Sequence, residues 1–172
     1  ERLLQLIEER HQDIASQCTN ASGALQQVND LMIRLRDHMQ VDTKDAQWVD
    51  SLLAFGEDFS TRLFKYVLEE HGVLVRLEWA GQWIKTDSRF GNAEVQLERI
   101  QPEIHSFITA HDLESSEEVV LTQGFIGADE QDRITTLGRG GSDYSAALFA
   151  EALGAECLEI WTDVAGVYTT DP

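Results

Sequence analysis

Basic residues are scarce in this chain: 13 lysines and arginines stand against 31 aspartates and glutamates, a formal charge of -18. Such an acidic surface repels nucleic acid and acidic lipid, so neither is an expected partner. It also repels anionic small molecules at long range, and any anion site must be built from local donors. No apolar run is long enough to cross a bilayer, and the opening Leu3, Leu4, Leu6 and Ile7, set among Glu and Arg, is no signal peptide. Cytoplasm is the default expectation. The two cysteines, Cys18 and Cys157, lack the spacing of a metal site or a disulfide framework. Both are expected as small buried hydrophobes in a reducing compartment. The five histidines include no i, i+4 pair and no neighbouring ligand set, so no protein-held metal is expected. No lysine follows Lys85, which excludes a Walker loop around the later glycines. A dinucleotide fingerprint is excluded too, since its third glycine would fall where Asp143 stands.

With 172 residues, 42% of them hydrophobic, and no break in composition, the chain can bury a core as one domain. Leu3, Ile7 and Ile14 share one helical face, and Leu25, Val28, Leu31 or Met32, Leu35 and Met39 share a second, after a break at Asn20 to Gly23. Thr43 can cap a third helix carrying Val49, Leu52, Leu53, Phe59, Leu63 and Val67, interrupted only by Gly56, where a bend or a close ligand approach is expected. Residues 73–77 and 83–85 read as strands, 86–92 as a polar loop, and Pro102 as the first turn of a short helix. Beyond it, 119–125 reads as a nearly continuous apolar strand, 129–132 as a turn, 133–136 as a strand, 142–153 as a helix stopped by Gly154, and 158–161 as a strand. Strand, helix, strand implies a parallel crossover.

The stretch Leu137-Gly138-Arg139-Gly140-Gly141-Ser142-Asp143-Tyr144 runs straight into an alanine-rich helix. Its three glycines let backbone approach a ligand closely, and the amides at the helix start attract a phosphate or carboxylate. Arg139 adds a planar fork of donors able to hold a carboxylate bidentately, beside the backbone amides of Gly140, Gly141 and Ser142. Ser142 is also a candidate helix N-cap, and Asp143 a favourable charge at a helix start. This combination reads as a small-molecule kinase.

The run 135–144, together with Trp161-Thr162-Asp163-Val164-Ala165-Gly166-Val167-Tyr168-Thr169-Thr170-Asp171-Pro172, closely resembles the aspartokinases of the amino-acid kinase family, and among them the lysine-sensitive, single-function type. Weaker matches lie at Phe55-Gly56-Glu57 and over 86–94. The resemblance implies a three-layer αβα sandwich with a mainly parallel sheet. It implies transfer of the ATP γ-phosphoryl group to the side-chain carboxylate of L-aspartate, the first step of lysine, threonine and methionine biosynthesis. Mg2+ would be bound through the nucleotide, and a homodimer and lysine feedback are implied for the full-length protein.

The same resemblance makes Arg139 the aspartate clamp and Glu57 the partner of the aspartate α-ammonium. A solvated helix glutamate is the plain alternative for Glu57, because Ala54 stands where the family usually has serine. The acceptor carboxylate is already ionised at neutral pH, so Asp143 is expected to orient a lysine or Mg2+ rather than to act as a base. Thr162, Asp163 and Tyr168 match positions that line the nucleotide, while Trp161 reads as a core aromatic before an adenine platform. Arg89-Phe90-Gly91 resembles a family loop near the substrate without an assignable task. The family's opening Lys-Phe-Gly-Gly-Thr-Ser is missing, as are its later nucleotide lysine and C-terminal ACT modules. The chain is therefore expected to be part of a catalytic domain, incomplete at both ends and inactive in isolation. Rival readings are a relative acting on acetylglutamate, glutamate, carbamate or a nucleoside monophosphate, and a non-catalytic binding or oligomerisation module.

Overall fold

The computed structural model describes residues 1–113 and 115–161. Three helices come first: α1 (Arg2–Gln17), α2 (Ala21–Met39) and α3 (Ala46–Glu70). The Asn20 side chain caps α2 by accepting from the Gly23 amide at 3.1 Å. Asp45, not Thr43, caps α3 by accepting from the Trp48 amide at 2.9 Å. α3 runs unbroken through Gly56, so the expected bend is not found. One glycine costs about 1 kcal/mol in a helix, little beside the tertiary packing that sustains a long one.

These helices share a core built from Ala15, Cys18, Val28, Leu31, Met32, Leu35, Phe59 and Leu63. The α2 face is the one expected. On α1 the expected Leu3, Ile7 and Ile14 are exposed instead. Ala15 and Cys18 are buried in this core, and the His11 ring lies 4.5 Å from that of Phe59 on α3.

β1 (Val75–Glu78) and β2 (Val119–Thr122) pair in parallel, with Val75 opposite Val119. β3 (Ile126–Ala128) and β4 (Ile134–Thr136) form an antiparallel hairpin. The strand expected over 119–125 divides after Thr122, since Phe125 takes a φ of 67°, outside the extended region a ladder requires. Residues 80–82 form a 3-10 turn, and the expected strand at 83–85 shrinks to a single bridge from Lys85 to Ala128.

α4 (Leu97–Ala110) starts five residues before Pro102, which lies within it rather than in its first turn. α5 (Gly141–Leu153) stops at Gly154, whose φ is 61°. The expected strand at 158–161 is absent: these residues have no ladder partner among the described residues, and Trp161 is 89% exposed. Cys157 is exposed as well, so only Cys18 behaves as a buried hydrophobe.

α3 lies against β1, β2 and β4, with α1 and α2 packed outside it. α4 and α5 pack on each other over a separate core of Trp83, Ile84, Val95, Ile100, Leu137 and Leu148. The result is the expected helix, sheet, helix layering, with the glycine-rich motif at the junction of β4 and α5.

Candidate active site

β4 leads directly into the glycine turn. The Leu137 amide donates to the Phe125 carbonyl at 3.0 Å, and Gly138 and Gly140 then both take a φ of 76° on either side of exposed Arg139. Side-chain-bearing residues avoid that conformation. At Gly138 space is also closed, since a Cβ would fall 2.6 Å from the Asn92 Oδ1. The start of α5 rests on the chain that leaves β2: a Cβ on Gly124 would come within 3.1 Å of the Ser142 Cβ. Ser145 fastens this contact, accepting from the Phe125 amide at 2.9 Å and donating to the Gly141 carbonyl at 2.8 Å. The helix start thus stands at the carboxyl end of a parallel strand, where α/β sheets open a crevice.

Gly140, not Ser142, is the N-cap residue, and no side chain caps this helix. Ser142 lies one residue inside, exposed, so its capping role is not found. The Gly141 amide donates to the Gly138 carbonyl at 3.1 Å, which removes it from the amides expected to face a ligand. Asp143 is exposed in the first turn of α5.

Glu57 is half-buried midway along α3, and burial raises its pKa above the ordinary glutamate value. A relay of hydrogen bonds joins its backbone to the same end of β2. Thr61 Oγ1 donates to the Glu57 carbonyl at 2.7 Å, Gln123 Nε2 donates to Thr61 Oγ1 at 3.3 Å, and the Ala80 amide donates to Gln123 Oε1 at 3.0 Å. Gln123 precedes the Gly124 that carries Ser142. The elements bearing Glu57 and Arg139 therefore converge on one strand end. Thr162, Asp163 and Tyr168 lie outside the described residues.

Sequence reasoning missed two buried carboxylates that hold the neighbouring loop. Asp50, fully buried on α3, accepts from the Gly91 amide, the Thr136 amide and the Thr136 hydroxyl, each at 2.9 Å. Asp129, at the tip of the β3–β4 hairpin, accepts from Ser88 Oγ at 2.9 Å and from Arg133 Nε at 2.8 Å. The Arg89 guanidinium is engaged by Asp87 and Glu94, and Phe90 lies 5.1 Å beneath the Arg133 guanidinium. Arg89-Phe90-Gly91 thus fastens the loop to its surroundings. One signal for Asp50 was available: it shares a helical face with Ala54 and Asp58, all buried.

No group of three or more His, Cys, Asp or Glu among the described residues could hold a metal ion. No helix among them is long and apolar enough to cross a membrane.

A parallel strand end, a glycine turn with an arginine at its apex and a helix start beside it define an α/β protein with its glycine motif at a strand-to-helix junction. The chain belongs to the amino acid kinase family, whose model matches residues 7–172. It is 46% identical over 127 residues to the lysine-sensitive aspartokinase 3 of Escherichia coli K12, covering 72% of this chain and 27% of that enzyme. It is 37% identical over 175 residues to an aspartokinase of Chlamydia trachomatis, covering 99% of this chain and 37% of that enzyme. The crystal structure of E. coli aspartokinase III in complex with aspartate and ADP superposes with a TM-score of 0.90 at 34% identity, covering 98% of this chain and 38% of that one. The chain thus spans between about a quarter and two-fifths of the length of these relatives.

Proposed function

We propose that the full-length protein is an aspartokinase, moving the γ-phosphoryl group of ATP to the side-chain carboxylate of L-aspartate at the start of lysine, threonine and methionine biosynthesis. The observation that carries this reading is the exposed Arg139 between two left-handed glycines, on the same strand end that α3 reaches through the Glu57 relay. An arginine fork binds one carboxylate of the amino acid, and a half-buried glutamate pairs with its ammonium. Together they read both charges of a zwitterion and leave the side-chain carboxylate directed at ATP.

The reaction needs little acid-base chemistry. An ionised carboxylate oxygen forms a bond to the γ-phosphorus, the bond to the β–γ bridging oxygen breaks, and ADP leaves with the electron pair. This chain's part is positioning and charge compensation. The amides of Gly140 and Ser142 at the start of α5 offer donors to an anion. Asp143, exposed beside them, is a carboxylate that can orient Mg2+ carried on the nucleotide phosphates. Thr162, Asp163 and Tyr168 are assigned to binding the nucleotide. The protein works in the cytoplasm, as a homodimer.

An acceptor panel tests the reading. Full-length protein with MgATP and, in separate reactions, L-aspartate, L-glutamate, acetylglutamate, carbamate and a nucleoside monophosphate is assayed for ADP release, with hydroxylamine trapping of acyl phosphate. Turnover on aspartate is expected to exceed that on every other acceptor; preference for another acceptor, or none at all, refutes it.

A further inference from the structure

We propose that Asp50 is a positioning residue for the aspartate pocket: from beneath the site it locks the 86–92 loop and the end of β4 together, and so sets where Arg139 stands. This rests on the reading of Arg139 as the aspartate clamp. Asp50 is 0% exposed, and its hydrogen bonds come from two segments far apart in sequence. One oxygen takes both the Gly91 and Thr136 amides, and the other takes the Thr136 hydroxyl. These donors flank one seam. The Ala93 amide also crosses it, donating to the Thr136 carbonyl at 2.9 Å, and Asn92 presses against Gly138 with no space for a Cβ between them.

Arg139 is three residues beyond Thr136 and next to Gly138, so a shift at the seam is delivered directly to its guanidinium. Glycines with left-handed backbone absorb such a shift readily, and the turn therefore depends on an external anchor for its placement. A carboxylate buried against three neutral donors is costly unless every bond is made, which gives the lock a single favoured geometry.

The geometry also states which substitution preserves the lock. In Asp50→Asn the amide oxygen can accept from both backbone amides while its nitrogen donates to Thr136 Oγ1, whose hydrogen then turns elsewhere. In Asp50→Ala both amides lose their acceptor. Steady-state kinetics of the full-length enzyme separate this role from a general loss of stability. Asp50→Ala is expected to raise the KM for aspartate about tenfold or more while the KM for ATP stays within about twofold, and Asp50→Asn to restore the aspartate KM to within about threefold of wild type. A residue that merely stabilised the fold would lower the amount of active enzyme and leave both KM values unchanged. That result, or an equal rise in both KM values, overturns the proposal. Should Asp50→Ala not fold, Thr136→Val removes the hydroxyl bond alone and is expected to raise the aspartate KM about threefold, again sparing ATP; an unchanged value overturns it. A wild-type enzyme inactive on aspartate instead refutes the assignment of function on which the proposal stands.

Discussion

Replacing Asp129 by asparagine removes one charge from the hairpin tip and turns one of its two acceptor atoms into a donor that faces donors. The carboxylate is 1% exposed. One oxygen accepts from the Gln131 and Arg133 amides, both at 3.0 Å, and the other from Ser88 and the Arg133 guanidinium. Burial by itself would raise the pKa, but the hydrogen bonds from Arg133, Ser88 and Gln131 outweigh it and hold the group at about 2. Relative to an ordinary aspartate near 3.8, that depression corresponds to about 2 kcal/mol of stability at neutral pH. It is an upper figure, because the Arg133 side chain is 37% exposed and water screens the pair. A group whose pKa is depressed by folding stabilises fully above its unfolded value and loses that contribution as pH falls through its folded value. Asp129→Asn is therefore expected to lower the unfolding temperature of this domain at pH 7, by about 2 to 4 °C for each kcal/mol lost in a domain of 150 to 250 residues. The deficit should stay level down to about pH 5 and shrink below about pH 4. Differential scanning calorimetry of both proteins across this range is the assay. Equal unfolding temperatures at pH 7, or a deficit undiminished in acid, would refute the account of this carboxylate.

Glu57→Gln should separate stability from binding: burial already disfavours the ionised form, so the variant should unfold no more easily than wild type at pH 7 while its KM for aspartate rises. An unchanged aspartate KM would return Glu57 to the role of a plain helix glutamate. Arg139→Lys keeps the charge but loses the bidentate fork, and loss of one charge-assisted bond of about 1.5 to 3 kcal/mol corresponds to roughly 10- to 150-fold in the aspartate KM, with little effect on ATP. Unaltered aspartate kinetics would show that Arg139 is not the clamp. Asp163→Ala and Tyr168→Ala are expected to weaken ATP binding by about 1 to 3 kcal/mol and leave aspartate affinity, titrated without nucleotide, near wild type; the opposite pattern would refute their assignment to the nucleotide.

The glycine turn was legible in the sequence because its reasons are local. Gly138, Gly140 and the alanine-rich run behind them state a left-handed turn and a helix without help from the rest of the chain. The apolar face of α2 was legible for a similar reason, being a regular stripe of large aliphatic residues. α1 was misread because its contact side uses Ala15 and Cys18, which a search for large apolar residues passes over. α3 concealed more: Val49 and Leu53 are exposed, and the side facing the sheet carries Asp50, Ala54, Asp58 and Thr61. Arg62 is a local partner of Asp58, four residues on, but the other partners lie far along the chain, in Gly91, Thr136, Arg34 and Gln123. No periodicity in a single helix encodes such partners. The division of the strand at Phe125 and the lack of a ladder partner for 158–161 among the described residues were hidden likewise, since a ladder depends on which edge is offered to it.

A loop secured at Ser88 by one buried carboxylate and at Gly91 by another has little freedom to be remodelled. Its length and path are tied to α3, to the hairpin tip and to Gly138 at once, so an insertion or deletion within 86–92 would have to be matched in three other places. On the proposed assignment of Glu57 and Arg139 to the acceptor, its range is open to change chiefly through those two side chains and hardly through the backbone beneath. For an engineer altering that range, this loop is the part of the scaffold to leave alone.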